Sequence, residues 1–206
     1  MTLEQYLETL ADNESPLRNT DLMSLSAITQ EGIGVLRDVW LDIDAERRED
    51  VLNKLIGLSE DNLDADFNDL FRFCLNDENP VVRSKAIEGL WECDDRTLVT
   101  SLITLLVQDP YDNVRATAAT ALGKFAVLSQ NGKMLDKDGD KIKEILMQTI
   151  QNSPDDHEVM RRAIEAVAPF NTSDVQHTIQ KAYESDQIDM RCSAVYAMGK
   201  SCDLRW

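Results

Sequence analysis

Apolar positions recur along this 206-residue chain at spacings of three and four, and no stretch alternates apolar and polar residues convincingly. The first pattern is one face of an α-helix, and the second is what a half-buried strand would need. Leu98, Leu102, Leu105 and Leu106 make one stripe; Ile142, Ile145, Leu146 and Ile150 a second; Val175, Ile179, Ala182 and Tyr183 a third. Between the stripes lies a phrase richer in small residues: VRSKAIEGL at Val82–Leu90, VRATAATAL at Val114–Leu122, VMRRAIEAV at Val159–Val167 and MRCSAVYAM at Met190–Met198. In the second copy Val114, Ala118, Ala119, Ala121 and Leu122 cover one broad helical face. The second position of the phrase advances by 32, 45 and 31 residues. A period of that length predicts stacked helical pairs, because one pair cannot bury its apolar face alone. The Ala-rich helix is expected to open each pair, its small side chains letting neighbours approach, with the stripe following across a turn. Pro80, Pro110, Pro154, Asp94-Asp95 and Asn171-Thr172 fall between the elements, as helix breakers should.

A degenerate copy lies upstream, where Arg48, Val51, Leu52, Lys54 and Leu55 precede Arg83, Ala86, Ile87, Gly89 and Leu90 by 35 residues. Its second helix is expected over Asp64–Leu75. Before it, Thr2–Ala11 and Leu22–Leu41 read as helical without the phrase, which predicts a modified cap over residues 1–45 and a repeat array over 46–206. The repeats fall near 46–76, 77–108, 109–153, 154–184 and 185–206. Trp40 is expected in the core, since large aromatics of amphipathic helices pack inward. In this phasing the last repeat is incomplete: Asp203-Leu204 reaches the point where a second helix should begin. A solenoid needs a polar cap at its end. The expectation is therefore a fragment of a longer array, or an open end that recruits a partner or a second copy through Met198, Leu204 and Trp206.

Charge narrows the partners. Met1–Pro80 holds 19 acidic and 6 basic side chains, a net of −13, and Val81–Trp206 holds 19 and 15, a net of −4, within a total of −17. Such a chain repels a phosphate backbone, so nucleic acid is not an expected partner and a basic protein fits better. No segment is long and apolar enough to span a bilayer, and no signal-peptide pattern opens the chain, so neither membrane insertion nor secretion is expected. Cys74, Cys93, Cys192 and Cys202 match no zinc spacing and are too sparse for a disulfide framework. Reduced thiols in a cytoplasmic protein are the corresponding expectation.

The phrase [V/M]-R-x-x-A-x-x-[G/A]-[L/M], complete with its arginine in three copies, resembles HEAT repeats of the short type associated with phycobilisome lyases. The resemblance covers roughly 46–206. It implies an all-α fold, an α-solenoid (alpha-alpha superhelix) of about five HEAT-like helical pairs. Such arrays serve as protein-binding scaffolds, chaperone-like lyase subunits, and in a few cases enzymes, among them certain DNA glycosylases. The third copy departs from the phrase, with Met160 at the arginine position and Arg161 and Arg162 after it.

Arg83, Arg115 and Arg191 sit in the first turns of their helices, where a cation faces the positive end of the macrodipole. Each therefore needs an acidic or carbonyl partner, for which Asp77, Asp94, Asp95 and Asp109 are the candidates. This predicts a structural ladder. Three further patterns offer less. DKDGDK at Asp136–Lys141 begins like an EF-hand loop but has Lys141 and Met147 where that loop needs Gly and Glu. It lies in an insertion, Val127–Asp140, and reads as an acidic helix start. His157-Glu158 resembles one of the His-Glu pairs with which deoxyhypusine hydroxylases, also HEAT proteins, hold two irons. Those enzymes use several pairs, and here the other histidine, His177, precedes Thr178. Cys192 lies beside Arg191, yet no histidine neighbours any cysteine in sequence, and Cys74 and Cys93 read as buried structural thiols.

The expected function is accordingly a non-catalytic protein-interaction scaffold or adaptor without a cofactor. A tetrapyrrole (phycobilin) lyase or chaperone-like subunit is the alternative, and a DNA-glycosylase-like enzyme a third class that the negative charge disfavours. The partner surface is expected on the second helices of the pairs, at positions off their apolar stripes: Thr100, Thr104, Lys143, Gln148, Gln176 and Gln180.

Overall fold

The computed structural model describes residues 3–152 and 156–206, and every regular element among them is helical. Thr2 and Pro154, read above as helix start and breaker, lie outside the described residues. No helix among those described is long and apolar enough to cross a membrane. The chain divides into two compact units, Met1–Cys93 and Asp94–Trp206.

The first unit holds α1 (Leu3–Ala11), α2 (Asn19–Leu22), α3 (Gln30–Val39), α4 (Ala45–Asp61), α5 (Asn68–Cys74) and α6 (Pro80–Gly89). The continuous helix expected over Leu22–Leu41 is interrupted. Ala27 takes a left-handed φ of 51°, and Ser26–Ala27 turns back to exchange hydrogen bonds with Asp66 at the entry to α5. Thr29 then caps α3 by accepting from the Gly32 amide at 3.1 Å. Trp40 is in the core, 1% exposed, as a large aromatic on this face should be. α4 and α5 fall on the two helices predicted for the degenerate copy, but α6 packs against both, which pairs α5 with α6 and not with α4.

The second unit holds α7 (Leu98–Gln108), α8 (Asp112–Gln130), α9 (Asp136–Asn152), α10 (His157–Val167), α11 (Ser173–Tyr183) and α12 (Ile188–Ser201). The phrase helices α8, α10 and α12 form the central stack, α8 on α10 and α10 on α12. Each also packs extensively on the stripe helix before it: α8 on α7, α10 on α9, α12 on α11. The Ala-rich helix is therefore the second of its pair, not the first. The short turn Asp109–Tyr111 closes the α7–α8 hairpin, whereas longer segments separate α6 from α7 and α8 from α9. This phasing also puts the boundary between units inside the predicted 77–108 repeat, since α6 belongs to the packing of α4 and α5, and α7 to that of α8. The 185–206 repeat is likewise not a helix lacking a partner, because α12 closes a pair with α11.

Both units are α-solenoid stacks of this kind. Alanines line the approach of α8 to α10, and in the first unit Trp40, Phe67 and Phe71 join the aliphatic residues of the core. Gly123 of α8 marks a close backbone approach, since a side chain there would meet the Ala166 backbone of α10 at 3.1 Å. The insertion at Val127–Asp140 is not a loop. It lengthens α8 to Gln130 and starts α9 at Asp136, leaving only Asn131–Leu135 as turn.

Candidate functional site

The three phrase arginines act first on their own turns. Arg83 donates from Nη1 to the carbonyls of Asp77 at 2.7 Å and Glu78 at 3.1 Å. Arg115 donates to the carbonyl of Asp109 at 2.8 Å, and Arg191 to those of Ser185 at 2.8 Å and Asp186 at 3.0 Å. The acceptor six residues upstream has a second task in every case. Its side chain accepts the amide two residues on: Asn79 to Asp77 at 2.8 Å, Tyr111 to Asp109 at 3.0 Å, Gln187 to Ser185 at 3.2 Å. Each turn is thus closed by one side-chain acceptor and one guanidinium, and the partial negative charge of the carbonyls offsets the dipole cost of a cation there.

The arginines also reach forward. Arg48 of α4, 2% exposed, donates to the fully buried Asp77 carboxylate at 3.1 Å and to Glu78 at 3.1 Å. Trp40 Nε1 donates to the same Asp77 oxygen at 2.6 Å. In the second unit Arg115 bridges Asp112 at 2.6 Å and, one repeat on, Asp156 at 2.5 Å. Where the third copy has Met160 in place of arginine, Arg161 takes over the forward contact and donates from Nε to the buried Ser193 of α12 at 3.0 Å. Asp77 and Asp109, two of the candidate acidic or carbonyl partners, serve Arg83 and Arg115 through their carbonyls. Asp94 pairs instead with Lys124 at 2.7 Å, and the Asp95 carboxylate caps Thr97.

The residues expected on a partner surface lie on α7, α9 and α11, which are the first helices of their pairs. Lys143 and Gln148 come together in an open groove of about 410 Å³ lined also by Asp140, Glu144, Met147, Gln151 and Asp174. Lys143 is committed to Asp174 of the next pair at 3.0 Å. A donated hydrogen bond from Thr172, and then one from Lys143, hold the Asp174 carboxyl down to about 2. Gln148 donates to Glu144 at 3.1 Å and stays exposed. Thr100 and Thr104 are exposed on α7, with the Thr104 hydroxyl returned to the Thr100 carbonyl at 3.0 Å. Gln180 donates to Glu184 at 2.6 Å. Gln176 is structural: it ties Asn171 to Asp203 at 3.0 Å and accepts from Arg205 at 2.5 Å, fastening the turn after α12 onto α11.

Against this geometry, a family model describing HEAT repeats matches residues 68–138, from α5 through α8 into the start of α9. Over those residues the chain is built of HEAT repeats. A solved structure of human deoxyhypusine hydroxylase in complex with glycerol is similar at 14% identity, covering 97% of this chain and 95% of that one, with a TM-score of 0.44. Likeness at that level transfers no residue role. No curated protein matches the chain.

The other patterns of the sequence take ordinary places in the helical framework. DKDGDK forms the first turns of α9, where Asp136 and Asp138 face the positive end of the helix dipole and Gly139 leaves room for Ser129 of α8. His157 is exposed at the start of α10, beside Gln187, and Glu158 pairs with Arg161 at 2.7 Å and Arg162 at 2.8 Å. Among the described residues no three His, Cys, Asp or Glu side chains converge as metal ligands. Cys74 is buried, which pushes its thiol well up. Cys93 is only half-buried, its sulfur accepting from Arg72 at 3.4 Å, because it follows α6 rather than sitting within a helix pair. Cys192 and Cys202 are exposed.

Proposed function

We propose that this HEAT-repeat chain is a non-catalytic scaffold that binds a protein partner, and that a Lys- or Arg-bearing segment of the partner lies in the groove between α9 and α11. The composition of that groove supports the reading most directly. Asp140, Glu144 and Asp174 line it together with Lys143, and Lys143 is already neutralised by Asp174. The surplus carboxylates attract a basic segment, Met147 offers an adaptable apolar contact, and Gln148 and Gln151 supply hydrogen bonds. The acidity of the whole chain steers the same class of partner toward it.

The test is to purify the full-length protein from its native cells, and this 206-residue chain in parallel, and identify what each retains. The expected result is a specific protein held by both, released by raised salt and weakened by Glu144→Lys or Gln148→Arg. Substitutions Thr104→Arg and Gln180→Arg report whether the contact extends along α7 and α11. A bound tetrapyrrole, with a bilin absorbance shift on mixing, would replace the scaffold reading with the lyase one. A retained metal or nucleic acid would overturn both.

A further inference from the structure

The face that α8 turns toward α10 carries Ala116, Ala119 and Gly123, spaced along one side of the helix. Ala116 and Ala119 are 6% and 0% exposed, and Gly123 lies against Ala166. In α10 the position of Ala119 is held by Ile164, 2% exposed. The register of the repeated phrase carries Ala116, Ala119 and Gly123 onto Cys192, Val195 and Gly199 of α12. There the same surface is bare. Val195 is 55% exposed, and a side chain built at Gly199 meets nothing within 4 Å. Ile188 at 67% and Tyr196 at 53% exposure extend the stripe along the helix, while Met190, Ala194 and Ala197 on the other side are buried. Among the described residues, nothing covers the repeat-to-repeat contact surface that α12 presents.

We propose that this face is where two copies of the chain meet, α12 packing antiparallel against α12 of a second copy about a two-fold axis. Charge along the helix selects that occupant. Asp189 stands at the start of α12 and Lys200 near its end, with Lys200 held over the Tyr196 ring at 5.3 Å. An antiparallel pair places each Asp189 near Lys200 of the other copy, twice by symmetry, with Val195 and Tyr196 at the centre. Gly199 then allows the close approach that Gly123 allows in α8. The net charge of −4 over Val81–Trp206, against −13 before it, makes this the end at which two copies repel least. The contact is one helix face about 20 Å long, so the dimer belongs to the weak end of specific interfaces.

Sedimentation equilibrium on the full chain, in reductant and over tens to hundreds of micromolar, tests this. The expected mass rises with concentration from 23.3 kDa toward twice that value, and Val195→Arg, on an exposed position that leaves the fold intact, holds it at the monomer. Asp189→Lys and Lys200→Asp should each weaken the dimer about tenfold, and the double reversal should restore it, because it swaps the two ends of each pair. Parallel helical CD melts show that the variants are folded. A wild-type chain that stays monomeric, with this face idle or covered by additional chain or a different protein, overturns the proposal. So does a dimer indifferent to Val195→Arg, a double reversal that fails to restore it, or a dimer that reductant abolishes through Cys192 or Cys202.

Discussion

Asp77 concentrates more of the first unit's polar packing than any neighbouring residue. Its carboxylate takes Trp40 and Arg48, its other oxygen takes the Asn79 amide, and its carbonyl takes Arg83. Breaking such a buried pair leaves one charge without compensation, so Asp77→Ala is expected to cost about 3–5 kcal/mol in urea unfolding. Arg48→Ala should cost less beside Asp77→Ala than alone, since the two share one network. Tyr6 makes the opposite case: its buried hydroxyl has no partner among the described residues, and burial, then Asp21, pushes it up to about 12. Tyr6→Phe should therefore leave stability unchanged or raise it by up to about 1 kcal/mol. Asp174 makes a pH-dependent contribution. Its folded value of about 2 lies below the ordinary 3.8, so the stability it confers is complete above that range and disappears as pH falls through about 2. Asp174→Asn should lower the melting temperature at pH 7 and by less at pH 2, modestly in both cases because the side chain is half-exposed. At this scale the ladder arginines were legible in the sequence, since a cation in a first turn demands a partner. Which oxygen answers was not, because carbonyl and carboxylate of one aspartate differ only in where the folded turn points them.

Two glycines on equivalent positions of α8 and α12 separate packing from propensity. Gly123→Ala forces a methyl against the Ala166 backbone and is expected to cost about 1–3 kcal/mol through the shift between α8 and α10. Gly199→Ala meets open space, so in dilute solution it should raise the melting temperature, worth about 0.5–1 kcal/mol from helix propensity. If both substitutions behaved alike, the stack of α8 on α10 would not be as described. The elements themselves were readable from apolar spacing: α7, α9 and α11 follow the three stripes, and α6, α8, α10 and α12 the four phrases. Their pairing was not. A phrase helix has apolar residues on most of its circumference and suits a partner on either side in sequence. Turn length settled it, and Asp109–Tyr111 is short enough to close a hairpin. The interruption at Ser26–Thr29 was equally invisible, because Ala27 adopts its left-handed conformation for a hydrogen bond to Asp66, 39 residues away.

At the scale of the molecule, both proposals concern surfaces and are separable by salt. A basic partner in the α9–α11 groove should dissociate steeply with ionic strength. An α12 pair, centred on Val195 and Tyr196, should respond weakly to salt and strongly to Val195→Arg. The sequence by itself determined the class of structure, because a period near 32 residues in apolar spacing admits stacked helical pairs and little else. It also determined the acidity on which the proposal of a basic partner rests. Tertiary structure decided which helix pairs with which, how Lys143 and Gln148 come to share a groove while Gln176 is tied to Asp203, and that the repeat-packing face of α12 lies open. Those outcomes depend on which surfaces neighbours cover, and burial is a property of the assembled stack: Val195 and Ile164 share a place in the phrase, yet α12 packs on α10 while no described element covers Val195, and Ile164 is 2% exposed where Val195 is 55%.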